Sequence, residues 1–286
     1  MSQPIPNRQL DMGFSARSAT AQTLDRALGV ARKVPEITIF FWIAKLLSTA
    51  LGESTSDYLV YQINPYLAVV LGGIGLAIAL FLQFRVRRYI AWVYWLAVVM
   101  VAIFGTMAAD VVHIVLLSPL LGPTVAYLVS TVFFAGCLVV IFAIWYLIEK
   151  TLSIHSINTP RRELFYWATV MATFALGTAA GDMTAYTLRL GFFTSGLLFT
   201  ALFALPALAY GLLRLNALVA FWLAYIVTRP LGASFADWMG KPKSFHGLDF
   251  GDGPVSLVLT ILILVIVGYL TLTRKDVQGD ANHPHG

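Results

Sequence analysis

The 286 residues are 59% hydrophobic and 12% charged with a mean hydropathy of +0.79, whereas a soluble domain carries about 25% charged residues. That balance excludes an ordinary soluble or disordered chain and points to an all-α integral membrane protein lying in a lipid bilayer. A formal net charge of +5 would suggest a polyanionic partner in a soluble protein, but here the basic residues collect in alternate loops, which orients the chain and calls for no nucleic acid.

Residues 1–34 read as a cytoplasmic N-terminal segment without an apolar stretch near the start, so no cleaved signal peptide is expected. Within it, Thr23 to Lys33 is a candidate surface helix with Leu24, Leu28 and Val30 on one side. Eight apolar runs follow, near 36–56, 63–84, 89–109, 124–148, 164–181, 190–212, 215–236 and 254–273. Each is close to the ~20 residues a helix needs to cross a hydrocarbon core about 30 Å thick. The runs divide into a first four-helix half, 35–149, a cytoplasmic connection, 150–163, a second half, 164–273, and a cytoplasmic tail, 274–286. Val111 to Leu121, broken by Pro119, reads as an outer connection rather than a span, and Pro206 is expected to kink the sixth run. Cys137 has no partner, so no disulfide framework exists.

One pattern occurs four times. Phe41-Trp42, Tyr94-Trp95, Tyr166-Trp167 and Phe221-Trp222 are each followed by a glycine ten positions after the Trp (Gly52, Gly105, Gly177, Gly232) and an aspartate fifteen after it (Asp57, Asp110, Asp182, Asp237). Such register indicates internal repeats, each a motif helix followed by a plainer one, in runs one, three, five and seven. Because a unit contains two spans, all four motif helices run in the same direction and their aspartates lie at similar depth. The fold expected is eight transmembrane helices as four parallel two-helix repeats. Fourteen of nineteen basic residues fall in one set of loops, against three (Arg189, Lys241, Lys243) in the other, which places both termini in the cytoplasm.

Two readings of the motif compete. In one, the glycine ends each helix as a C-cap and the aspartate is a solvated loop residue. In the other, which the fixed spacing favours, the carboxylates surround a polar cavity, because ionisable groups near the hydrocarbon face inward and mark ion or proton paths. Lys45 and Arg229 lie within spans, and one symmetric arrangement has both sharing the carboxylate cluster; snorkelling or a static salt bridge is the alternative. The substrate or proton-coupling candidates are therefore Asp57, Asp110, Asp182, Asp237, Glu53, Lys45 and Arg229. If helix continues past Asp110, His113 shares its face. Asp57, Asp110, His113, Asp182 and Asp237 then form an oxygen-rich set with one imidazole, suited to Mn²⁺ or Mg²⁺. The Trp residues read as interfacial anchors or packing. No H-E-x-x-H, C-x-x-C, G-x-S-x-G or phosphate-binding glycine loop is present, and the chain is not read as an enzyme.

Lys33-Val34-Pro35-Glu36-Ile37-Thr38 leading to Phe41-Trp42 and Gly52-Glu53, with Gly-Thr-x-x-x-Asp at Gly105 and Gly177, resembles a family of uncharacterised bacterial multi-pass membrane proteins built from a repeat of unknown function. The resemblance covers all eight runs and implies a bacterial inner-membrane location. The residues themselves favour a secondary transporter of a small cation or protons, with a divalent metal such as Mn²⁺ among the candidates. A non-transporting sensor or assembly protein, with the repeats as scaffold, is the alternative.

Overall fold

The computed structural model describes residues 33–277, which are helical and contain no strand. Eight long helices carry the architecture: α1 (Ile39–Gln62), α2 (Pro65–Arg85), α3 (Ala91–Asp110), α4 (Pro123–Glu149), α5 (Pro160–Asp182), α6 (Gly191–Leu213), α7 (Ala217–Gly240) and α8 (Asp252–Thr273). The candidate surface helix from Thr23 lies outside the described residues, apart from Lys33.

Local chemistry fixes the ends. Thr38, Asn64, Thr159 and Asn216 accept hydrogen bonds from first-turn amides of α1, α2, α5 and α7, supplying acceptors that the helix itself lacks there. Helices α4, α6 and α8 each end on a left-handed basic residue, Lys150, Arg214 and Arg274, whose charge complements the negative end of the helix dipole.

Seven of the helices, all but α1, are long and apolar enough to cross a membrane. α1 matches them in length, but it carries Lys45, Glu53 and Asp57 together with Ser48, Thr49, Ser54, Thr55 and Ser56. Its polarity has a structural reason, because α1 is one of four inner helices and most of these side chains face protein. The inner helices α3, α5 and α7 bury 50–67% of their most apolar stretch, the outer α2, α4, α6 and α8 only 17–28%.

The four motif helices form a closed ring in the order α1, α3, α5, α7 and back to α1. Each motif glycine faces the next helix of the ring. A Cβ on Gly52 would overlap Ala102, one on Gly105 would stand 2.8 Å from the Phe174 Cβ, one on Gly177 would overlap Arg229, and one on Gly232 would overlap Thr49. Every neighbour so met lies three residues before the next motif glycine, so one contact is repeated four times around the ring. The glycines are therefore close-packing residues in uninterrupted helix, and none is a C-cap.

The outer helices do not pack chiefly on the motif helix of their own repeat. α2 lies mainly on α3, α4 on α5, α6 on α7 and α8 on α1, so each plain helix covers the motif helix of the following repeat. One difference from expectation concerns Val111 to Leu121. It continues α3 as a π-helical stretch, Val111–Leu117, and one further turn, Ser118–Leu121, and α5 is likewise prolonged by a π-helical stretch, Met183–Thr187. Pro119 sits at the start of the Ser118–Leu121 turn. Pro206 lies within the continuous helix α6. Trp95, Trp167 and Trp222 are buried, and Trp222 donates its indole N–H to the Leu152 carbonyl at 3.0 Å, so these three serve packing.

Replacing Gly105 or Gly177 by Leu should lower the melting temperature of the detergent-solubilised protein, since overpacking costs about 1–3 kcal/mol. Gly211→Leu, at a position with open space around it, should melt like the parent. Equal melting of all three variants would remove close approach as the reason for the motif glycine.

Candidate functional site

On the inner helices a stripe of residues four apart faces the ring axis. Such a stripe winds about 40° per step on a 3.6-residue helix, so helices that keep it central are inclined to one another. The first layer is Phe41, Tyr94, Tyr166 and Phe221, with the Tyr94 and Tyr166 hydroxyls hydrogen-bonded to each other. Lys45, Val98, Val170 and Tyr225 form the second layer, and Thr49, Ala102, Phe174 and Arg229 the third. Glu53, Thr106, Thr178 and Ala233 form the fourth, and all sixteen residues to this point are buried. The fifth layer is Asp57, Asp110, Asp182 and Asp237.

Arg229 reaches across the axis from the third layer into the fourth. Its Nη2 lies against the Glu53 carboxylate and the Thr106 hydroxyl and donates to the Thr178 hydroxyl at 2.7 Å, while Nη1 donates to the Thr49 carbonyl at 2.9 Å. One guanidinium thus engages all three other inner helices, and its acidic partner is Glu53. Lys45 does not join the carboxylates, contrary to the shared arrangement. Its Nζ makes no hydrogen bond among the described residues and lies 3.9 and 4.1 Å from the ring centroids of Phe174 and Tyr225. The reason is depth: Lys45 sits three layers below the aspartates with Arg229 between, and its Nζ packs against the aromatic faces of Phe174 and Tyr225 instead.

Above this floor opens a cavity of about 600 Å³ lined by Glu53, Asp57, Asp110, Asp182, Asp237, Asp252 and Lys241, with exposed Tyr61, Ile114 and Phe245 at its rim. The structure brings all four motif aspartates to this one space, where they fall into two groups. Asp110, His113 and Asp182 form the first, with His113 Nε2 3.2 Å from an oxygen of each aspartate. Glu53, Asp57 and Asp237 form the second, their oxygens within 4.8 Å of one another. The Lys241 ammonium contacts Asp57 and stands 3.4 Å from Asp252 and 3.9 Å from Asp237. Burial alone would lower the Lys241 pKa, but the charges of Asp57, Asp237 and Asp252 more than offset it and hold the group above the ordinary lysine value.

Lys241 and Asp252 are not among the candidates the sequence offers, and Lys241 counts there only as a loop residue. A signal existed for Lys241, because it follows Asp237 by four residues and shares its helical face. Asp252 carried none, since it is brought in by the return of α8 onto α1, a long-range contact. The π-helical stretches after Asp110 and Asp182 also went unread; the first carries His113 into place.

Arg229→Met should destabilise the folded protein by about 3–5 kcal/mol, because it strands the buried Glu53 charge, and an Arg229→Met/Glu53→Met double variant should recover most of the loss. Thermal melting in one detergent measures both; a double variant no better than the single would deny the pairing its structural weight.

Comparison with known proteins adds one finding. The family model described as Repeat of Unknown Function (DUF347) matches residues 40–89, 93–151, 165–214 and 220–276, and each match holds one motif helix and the plain helix after it. No curated protein and no solved structure matches the chain. With four copies covering most of its length, the chain belongs to the family of proteins built from the Repeat of Unknown Function (DUF347).

Proposed function

We propose that the protein is a secondary transporter of a small cation, with the five-carboxylate chamber above Arg229, joined by Asp252, as its substrate site. The observation that carries this reading is charge. Six carboxylates, those of Glu53, Asp57, Asp110, Asp182, Asp237 and Asp252, face two strongly basic groups, Arg229 and Lys241. Fully ionised, the chamber would hold four uncompensated negative charges, or three with a protonated His113. Like charges in a poorly hydrated space do not all persist without a cation or protons beside them. A divalent ion such as Mn²⁺ meets the oxygen-rich donors and single imidazole better than a soft ion does.

On this reading the chamber is open at one end and closed at the other. The closure runs through the Arg229–Glu53 layer, through Lys45 between Phe174 and Tyr225, and through the Tyr94–Tyr166 layer, and it must open in turn for an ion to pass. α1 spans the membrane with the other seven helices, and its polar residues are tolerated because the outer helices screen them from lipid. The chain lies in a bacterial inner membrane with both termini cytoplasmic and the chamber mouth outside, as the split of basic residues requires.

Two measurements test the proposal. In a Cys137→Ser background, a cysteine at Ser244 should label from outside with an impermeant reagent and one at Ser156 should not; the reverse pattern would invert the orientation. In proteoliposomes, Asp110→Asn and Asp182→Asn should each abolish Mn²⁺ or coupled proton flux while the purified proteins still fold. Full flux in both would leave the repeats as scaffold.

A further inference from the structure

The two carboxylate groups in the chamber are not equivalent. His113 is 1% exposed, and its Nε2 stands 3.2 Å from Asp110 and from Asp182 without hydrogen-bond alignment to either, while Nδ1 also lacks a partner among the described residues. An imidazole held so, with Tyr127 packed on its ring at 4.8 Å, has Nε2 shared between two carboxylates in ion-pair contact and aligned for a hydrogen bond with neither. The spacing has a direct chemical meaning. Bonds of about 2.1 Å to an octahedral ion put adjacent ligand atoms about 3 Å apart, and Nε2 stands 3.2 Å from an oxygen of each aspartate, with the three ligand atoms within 4.8 Å of one another. One imidazole nitrogen and two carboxylate oxygens suit a borderline divalent ion.

The second group is filled from within the chain. Glu53 is taken by Arg229, and the Lys241 ammonium sits against Asp57 with Asp237 and Asp252 close by. The Lys241 backbone is anchored on both sides, its N–H donating to Asp237 at 2.8 Å and its carbonyl accepting from Asp249 at 3.0 Å, which keeps the ammonium over the carboxylates.

We propose that the chamber takes one divalent cation at a time, held by Asp110, His113 and Asp182, and that Lys241 is a tethered occupant of the Glu53–Asp57–Asp237 group, excluding a second ion. The proposal rests on the cation reading above and assigns its binding atoms.

The test is Mn²⁺ binding to the full-length, detergent-purified protein at neutral pH, followed by the electron paramagnetic resonance signal of free Mn²⁺. The wild type should bind one ion per chain. His113→Ala, or the milder His113→Gln, should weaken that binding about tenfold or more, and Lys241→Met, or Lys241→Gln, should bind a second ion. Two ions on the wild type would overturn the tethered-occupant assignment without recourse to any variant. So would a single ion retained at full affinity by folded His113 variants, or the lack of a second ion on folded Lys241 variants. No bound Mn²⁺ on the folded wild type would overturn the inference together with the divalent-ion reading of the chamber, an outcome distinct from the others.

Discussion

Everything in this molecule depends on how closely four helices approach one another. Association in lipid gains little from the hydrophobic effect, so backbones must come near enough for dense packing, and a motif glycine provides that at each of the four ring contacts. Because each glycine meets the residue three before the next one, the helices are held at a common height. A common height is what turns four separate stripes into layers: aromatic, then mixed, then Arg229 with its partners, then aspartate. The carboxylates share one chamber because the glycines five residues earlier share one ring.

A ring of identical repeats would put four equal side chains in each layer, and buried charge forbids that for most of them. Four glutamates at the level of Glu53 would leave several kcal/mol of unpaired charge per group. The repeats have diverged there instead, into Glu53, Thr106, Thr178 and Ala233, and a single arginine from the layer below satisfies the first three together. At the aspartate level the four copies stay alike, and the asymmetry is supplied by groups from outside the repeat core, His113 on one side and Lys241 on the other.

The periodic part of this structure was legible in the sequence. Four equal Trp-to-Gly and Trp-to-Asp spacings give the repeat, apolar run lengths give the helices, and the pairing of spans makes the motif helices parallel. What periodicity does not carry is the neighbour of each helix. That each plain helix covers the following motif helix, that α8 returns to α1, and that Asp252 therefore reaches the chamber are consequences of long-range packing. The surroundings of Lys45 stay open in the sequence for a related reason: whether carboxylates or aromatic faces surround it depends on side chains some 130 to 180 residues away, Phe174 and Tyr225. The π-helical stretches change the helical period in a way that no hydrophobic pattern records.

The return of α8 onto α1 joins the two ends of the described chain. Thr55 and Ser256 share a hydrogen bond of 2.6 Å at one end of that pair, and near the other the Glu36 N–H donates to the Asp276 carbonyl at 2.9 Å. The described helices thus close on themselves, the last packed along the first. A circularly permuted protein, opened in the 150–159 connection and linked from Val277 to Lys33, would retain every ring contact.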